Sequence, residues 1–126
     1  MAAPATVDEY IAGFPPEIAE RLRRVRAEIV DAVAAASGVA PEEKIRYGIA
    51  AVMLGGRYAI HFAGWKKHIG LYPVPLLPEP LESEIASHRA EKDSVVFLHS
   101  KDVPYELIGR VAREIADERV RRPPIT

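Results

Sequence analysis

The stretch IRYGIAAVMLGGRYAIHFAGWKKHIGLYP, Ile45 to Pro73, decides the fold. Apolar runs of strand length alternate in it with short glycine-containing breaks. Gly55-Gly56, between IRYGIAAVML and RYAIHFA, is a hairpin signal, because both central residues of a primed turn need positive φ. The spacing predicts a meander of three strands, IRYGIAAVML, RYAIHFA and HIGLYP, with GWKK at the second turn. Side chains alternate across a strand. With Gly55-Gly56 as the turn, Met53, Tyr58, Ile60 and Phe62 share one face with Ile69 and Leu71, while Arg57, Ala59, His61, His68, Gly70 and Tyr72 take the other. The apolar set is expected to meet the helices, which leaves the second set as the open, working face.

The flanks of this meander read as helices. TVDE offers Thr6 as an N-cap with Glu9 three residues on, a capping-box pattern that opens a short helix ending near Gly13, after which Phe14 is expected to tuck into the core. PPEIAERLRRVRAEIVDAVAAAS places proline in the first turn and repeats Ile18, Leu22, Val25, Ile29 and Val33 at helical spacing up to Gly38. On the other side, Pro73, Pro75, Pro78 and Pro80 exclude a central strand and predict a stiff surface crossing. A short helix from Glu79 to His88, a strand SVVFLH, and a closing helix VPYELIGRVAREIADERV with Leu107, Ile108, Val111 and Ile115 inward complete the order. The pattern is that of an α+β fold, an antiparallel sheet with helices packed on one face. A single domain over residues 7–120, with flexible termini at 1–6 and 121–126, follows from 126 residues with 48% hydrophobic content.

Charge and composition narrow the function. Seventeen Lys and Arg against eighteen Asp and Glu give a net charge of -1, so there is no global basic field and nucleic acid is not the expected partner. Cys is absent, which removes thiolate metal sites, disulfides and thiol catalysis. No apolar run approaches the ~20 residues of a membrane span and MAAPATVDEY lacks a signal-peptide pattern, so a cytoplasmic protein without a membrane partner is expected.

The candidate chemistry sits on the predicted open face. His61 and His68 on adjacent strands suit Zn or Fe as ligands but need a third donor, and from Lys44 to Pro78 there is no Asp or Glu. The same stretch holds Lys44, Arg46, Arg57, Lys66 and Lys67, which favours an anionic small molecule or an acidic protein partner. The binding residues expected on these grounds are Lys44, Tyr47, Arg57, His61, Trp65, His68 and Tyr72, with Trp65 at a hairpin tip either folded onto the core or serving as an interface anchor. Carboxylates lie elsewhere: Glu17, Glu20 and Glu28 alternate with arginines such that Glu17–Arg21, Glu20–Arg24 and Arg24–Glu28 stand at i,i+4, and a second acidic run holds Glu79, Glu82, Glu84, Glu91 and Asp93. There is no Gly-x-Ser-x-Gly elbow and no phosphate-loop or dinucleotide fingerprint, so no enzyme is expected. A catalytic role would fall to His68 as a proton-transfer group near Tyr47 and Lys44.

Four segments, VDEYIAGFPPEIAERLRRVRAEI, EEKIRYGIAAVML, KKHIGLYP and VPYELIGRVAREI, together resemble in order and spacing the YdhG-like proteins, domain-of-unknown-function family 1801, described as frataxin-like. The resemblance runs from Val7 to Val120. It implies a small α+β domain with a frataxin-like layout and a non-enzymatic carrier function, an iron chaperone whose partners are iron–sulfur cluster or haem assembly proteins. Iron would then be the weakly bound cargo of carboxylates, here Glu17, Glu20, Glu82 and Glu84. Lys44, Tyr47 and Gly48 match the family's first strand motif, and His68, Gly70 and Tyr72 the second. Two departures stand out: Ala50 where members carry Pro, and Lys92-Asp93-Ser94 where they carry Lys-Gly-Thr. An open sheet face and an edge strand are compatible with a monomer or a homodimer.

Overall fold

A computed structural model describes residues 3–122. Helix α1 (Val7–Ala12) is followed by α2 (Pro16–Ser37), strands β1 (Glu43–Arg46), β2 (Ile49–Leu54), β3 (Arg57–Gly64) and β4 (His68–Tyr72), helix α3 (Leu81–Ile85), a 3-10 turn (Ala86–His88), β5 (Val95–Leu98) and α4 (Tyr105–Arg121). The strands form one antiparallel sheet in the order β1-β2-β3-β4-β5, so spatial order repeats chain order.

The helix signals map onto the structure closely. Thr6 Oγ1 accepts from the Glu9 amide at 3.1 Å and caps α1, while Glu9 Oε1 accepts from the Ala5 amide. Gly38, at φ 82°, closes α2 in the left-handed conformation that glycine adopts without cost. Thr6 stands at the start of α1 and Arg121 ends α4; of the expected flexible termini, residues 1–2 and 123–126 lie outside the described residues.

The meander differs from expectation in two ways. IRYGIAAVML is two strands, because Tyr47 and Gly48 form a turn with φ 56° and 75°, and this adds β1 to the sheet. A tyrosine in the left-handed region is strained, which hides the turn from a reading that looks for Gly, Asn or Asp at that position. The second difference is a register shift between β2 and β3. Met53 pairs with Tyr58 but Val52 pairs with Ile60, so Ala59 has no partner of its own. Alternation is interrupted there, and Met53 and Tyr58 turn to the open side together with His61. Arg57, expected beside His61, pairs with the core residue Leu54 and points to the helices, where its Nη2 donates to the Arg119 carbonyl at 3.4 Å. Ala59 joins the core cluster instead of the open face.

One core fills the space between sheet and helices. Leu22, Val25, Ile29 and Val33 of α2 and Ile108, Val111 and Ile115 of α4 pack over Ile60, Phe62, Ile69, Leu71, Val95 and Phe97. The proline crossing is anchored by buried Val74 and Leu77, and by Arg89, which donates to the carbonyls of Val74 and Pro75 and pairs with Glu82. Arg26 ties three elements together, with a bidentate pair to Glu43 of β1 (2.7 Å for both bonds) and a bond to Asp8 of α1.

The end of β3 is the tightest point. The Gly64 amide donates to the Tyr10 hydroxyl at 3.0 Å, and a Cβ on Gly64 would stand 2.8 Å from Leu22 Cδ1 and 2.9 Å from two Phe14 ring atoms. Gly64→Ala is therefore expected to destabilise the fold by about 1–3 kcal/mol in urea unfolding, as overpacking does elsewhere; unchanged stability would mean that Phe14 can move aside freely.

Candidate functional site

Strand pairing sets out the open face in rows. Lys44 of β1, Ala51 of β2, His61 of β3 and Tyr72 of β4 are successive cross-strand partners, so they occupy one row and project to the same side. His68 and Gly70 lie on this side of β4 as well, opposite Leu98 and Val96 of β5. Of the seven binding residues read from the sequence, six therefore belong to this face or its rim, and Arg57 does not.

Two clusters occupy the face. In the first, His61 stacks on Tyr58 (centroids 5.4 Å apart, planes at 16°) and on Tyr47 (6.3 Å, 26°), while the Arg46 guanidinium lies 4.0 Å over the Tyr58 ring and donates to the Tyr47 hydroxyl at 2.8 Å. The left-handed Tyr47-Gly48 turn folds Tyr47 back to this position, although the side chain stays 80% exposed. In the second cluster Trp65 Nε1 donates to the Tyr72 hydroxyl at 3.0 Å, and the Trp65 and His68 rings lie 6.4 Å apart. Trp65 thus extends along the open face and does not enter the core, with 46% of its surface exposed. Gly70 makes room for this arrangement: a Cβ there would lie 1.9 Å from the Tyr72 hydroxyl, so only glycine lets the tyrosine fold back along its own strand.

His61 is 7% exposed. Its Nδ1 lies 3.2 Å from the Tyr72 carbonyl, which can only accept, so the proton sits on Nδ1 and Nε2 presents a lone pair. That Nε2 is buried without a hydrogen-bond partner. Burial pushes the imidazole pKa down, the Tyr72 carbonyl partly offsets this, and the Arg46 charge lowers it further, so His61 is neutral near pH 7. A neutral Nε2 is a competent metal ligand, yet no group of three His, Cys, Asp or Glu side chains converges among the described residues.

The carboxylates are dispersed. Glu82 is held by Arg89 and by the Leu77 amide, which keep it below the usual carboxylate range, and Glu84 forms a two-bond pair with Arg110 at 2.8 and 2.6 Å. On α2 the i,i+4 pairs expected from spacing do not form. Glu20 pairs with Arg23 one residue earlier, and Glu28 lies against Gly109 of α4. Arg46 and Tyr58, which join the His61 stack, escape a reading based on alternation because only the register shift brings Tyr58 round.

The buried neutral His61 has a definite linkage. In the unfolded chain it takes up a proton below pH ~6.5, whereas in the fold it resists doing so. Its contribution is therefore absent above about pH 7 and becomes destabilising as pH falls through 6.5 towards the depressed folded value. Urea unfolding of wild type and His61→Gln from pH 8 to pH 5 should show wild type losing more stability on acidification; parallel curves would contradict a neutral buried imidazole.

No family model matches the chain, and no curated protein matches it. Among solved structures, the crystal structure of a protein from the DUF1801 family of Bacillus subtilis (YdhG) superposes with a TM-score of 0.74 at 19% identity, covering 91% of each chain. At that identity the likeness establishes a shared fold, which agrees with the YdhG-like α+β domain implied by the four sequence segments; it does not extend to the frataxin-like layout.

Proposed function

We propose that the chain is a DUF1801-type, non-enzymatic binding domain whose open sheet face docks an acidic protein segment. The observation that carries this reading is the charge of the face. From Lys44 to Pro78 there is no carboxylate, whereas exposed Lys44, Lys66 and Lys67 and half-buried Arg46 surround the aromatic rows of Tyr47, Tyr58, Trp65 and Tyr72. Rigid aromatic side chains ringed by cations are the composition of a protein-binding surface, where aromatics supply contact area and charges set orientation and association rate. The form of the face favours a polypeptide over a small molecule. The cavities beside α2, α4 and the proline crossing are lined by other residues, and His61 lies beneath its stacked neighbours.

An iron-carrier role, which the family resemblance implies, would need Glu17, Glu20, Glu82 and Glu84 to act on a common ion. Glu82 and Glu84 are already paired with arginines, Glu20 with Arg23, and the acids stand on different helices. These residues do not fit a shared iron site, and delivery to iron–sulfur or haem assembly proteins finds no support in their arrangement.

A single NMR experiment separates the two readings. Titrating 15N-labelled protein with a synthetic Glu/Asp-rich peptide should shift the amides of Lys44, Tyr47, Trp65, Lys66 and Lys67. Affinity should fall about tenfold or more in a Lys44→Glu/Lys67→Glu variant and weaken as salt is raised. Shifts spread over all basic residues, or affinity indifferent to the charge reversals, would overturn the docking proposal. Saturable ferrous-iron shifts centred on the four glutamates would favour the carrier instead.

A further inference from the structure

The two arginines released from the expected helix pairs meet at a different place. Arg21 and Arg24, one turn apart on α2, face the connection between β5 and α4, and with His99, Ser100, Lys101, Asp102, Val103 and Tyr105 they line a polar notch of about 430 Å³. Neither arginine has a carboxylate partner among the described residues, in contrast to Arg23 and Arg26 on the same helix. The Arg24 guanidinium lies over the Tyr105 ring, 3.8 Å from its centroid. Arg21 Nη1 stands 3.5 Å from His99 Nδ1, and His99 Nε2 is 2.9 Å from the Trp65 carbonyl. That carbonyl must accept, so Nε2 carries the proton and the Nδ1 lone pair is turned to Arg21, which steadies the guanidinium at the mouth of the notch.

Both arginines are thus positioned by groups that leave most of their N–H donors unused. The notch holds three cations, Arg21, Arg24 and Lys101, against one carboxylate, Asp102, which leaves an excess of two positive charges. A monoanion would balance half of that excess and a dianion all of it. Guanidinium forks also match the oxygen spacing of a phosphoryl group, and the volume leaves room for a substituent beside the Tyr105 wall.

We propose that this notch binds a dianionic phosphoryl group, carried by a small phosphomonoester or as free phosphate. It is separate from the docking face, but Trp65 touches both: its ring bonds Tyr72 on the open face and its carbonyl holds His99 in the notch.

Titration of the full chain with phenyl phosphate, inorganic phosphate and benzoate, followed by calorimetry and NMR, tests this. Phenyl phosphate should bind saturably, about tenfold or more tighter than benzoate, with shifts confined to Arg21, Arg24, His99, Lys101 and Tyr105. Tighter binding of phenyl phosphate than of inorganic phosphate would assign the ester, and equal binding the free ion. Arg21→Gln, Arg24→Gln and, at an exposed position, Lys101→Met should each weaken binding with melting temperature unchanged. Benzoate binding as well as phenyl phosphate, or affinity untouched by Lys101→Met and either arginine variant, would overturn the proposal. Neither result depends on whether an acidic peptide docks on the sheet.

Discussion

One residue without a cross-strand partner, Ala59, determines what the sheet shows to solvent. A strand reverses every side chain when its register slips by one, and the shift between Val52 and Met53 does this to the first part of β3 alone. Beyond it, Ile60 and Phe62 keep their places in the core. Before it, Tyr58 changes sides to join His61, and Arg57 passes to the helix layer to bond the end of α4. The stack of Arg46, Tyr58, His61 and Tyr47 exists because of that slip, and so does the neutral, buried state of His61.

Much of the fold was legible because its signals are local. Gly55 and Gly56, both at positive φ, turn the central hairpin as expected, and the capping oxygen of Thr6 and the helical repeat of α2 were readable residue by residue. The Tyr47-Gly48 turn was not, since its first residue pays a steric penalty that only the surrounding sheet makes tolerable. The bulge left no sequence mark either: alanine at 59 is unremarkable in a strand.

The candidate site was legible in the same measure. His61, His68 and Tyr72 share the open face because parity holds on β4 and on the second part of β3, Trp65 joins them from the turn between those strands and Tyr47 from its left-handed turn, while Arg57 is lost where parity fails. Helical spacing was a weaker guide to ion pairs. Glu and Arg at i,i+4 are within reach of each other, but Arg21 and Arg24 are drawn to His99 and Tyr105, partners about eighty residues distant in the chain that no local pattern reveals.

The side of the sheet that Tyr58 occupies decides which side chains form the open face. Nuclear Overhauser contacts between the Tyr58 and His61 ring protons test it most directly. With centroids 5.4 Å apart in a stacked pair, these contacts should be present, along with contacts from Tyr58 to the Arg46 side chain. Tyr58 contacts to the methyls of Ile60, Ile115 or other core residues, with none to His61, would mean that alternation runs unbroken through β3 and that the open face is built from a different set of side chains.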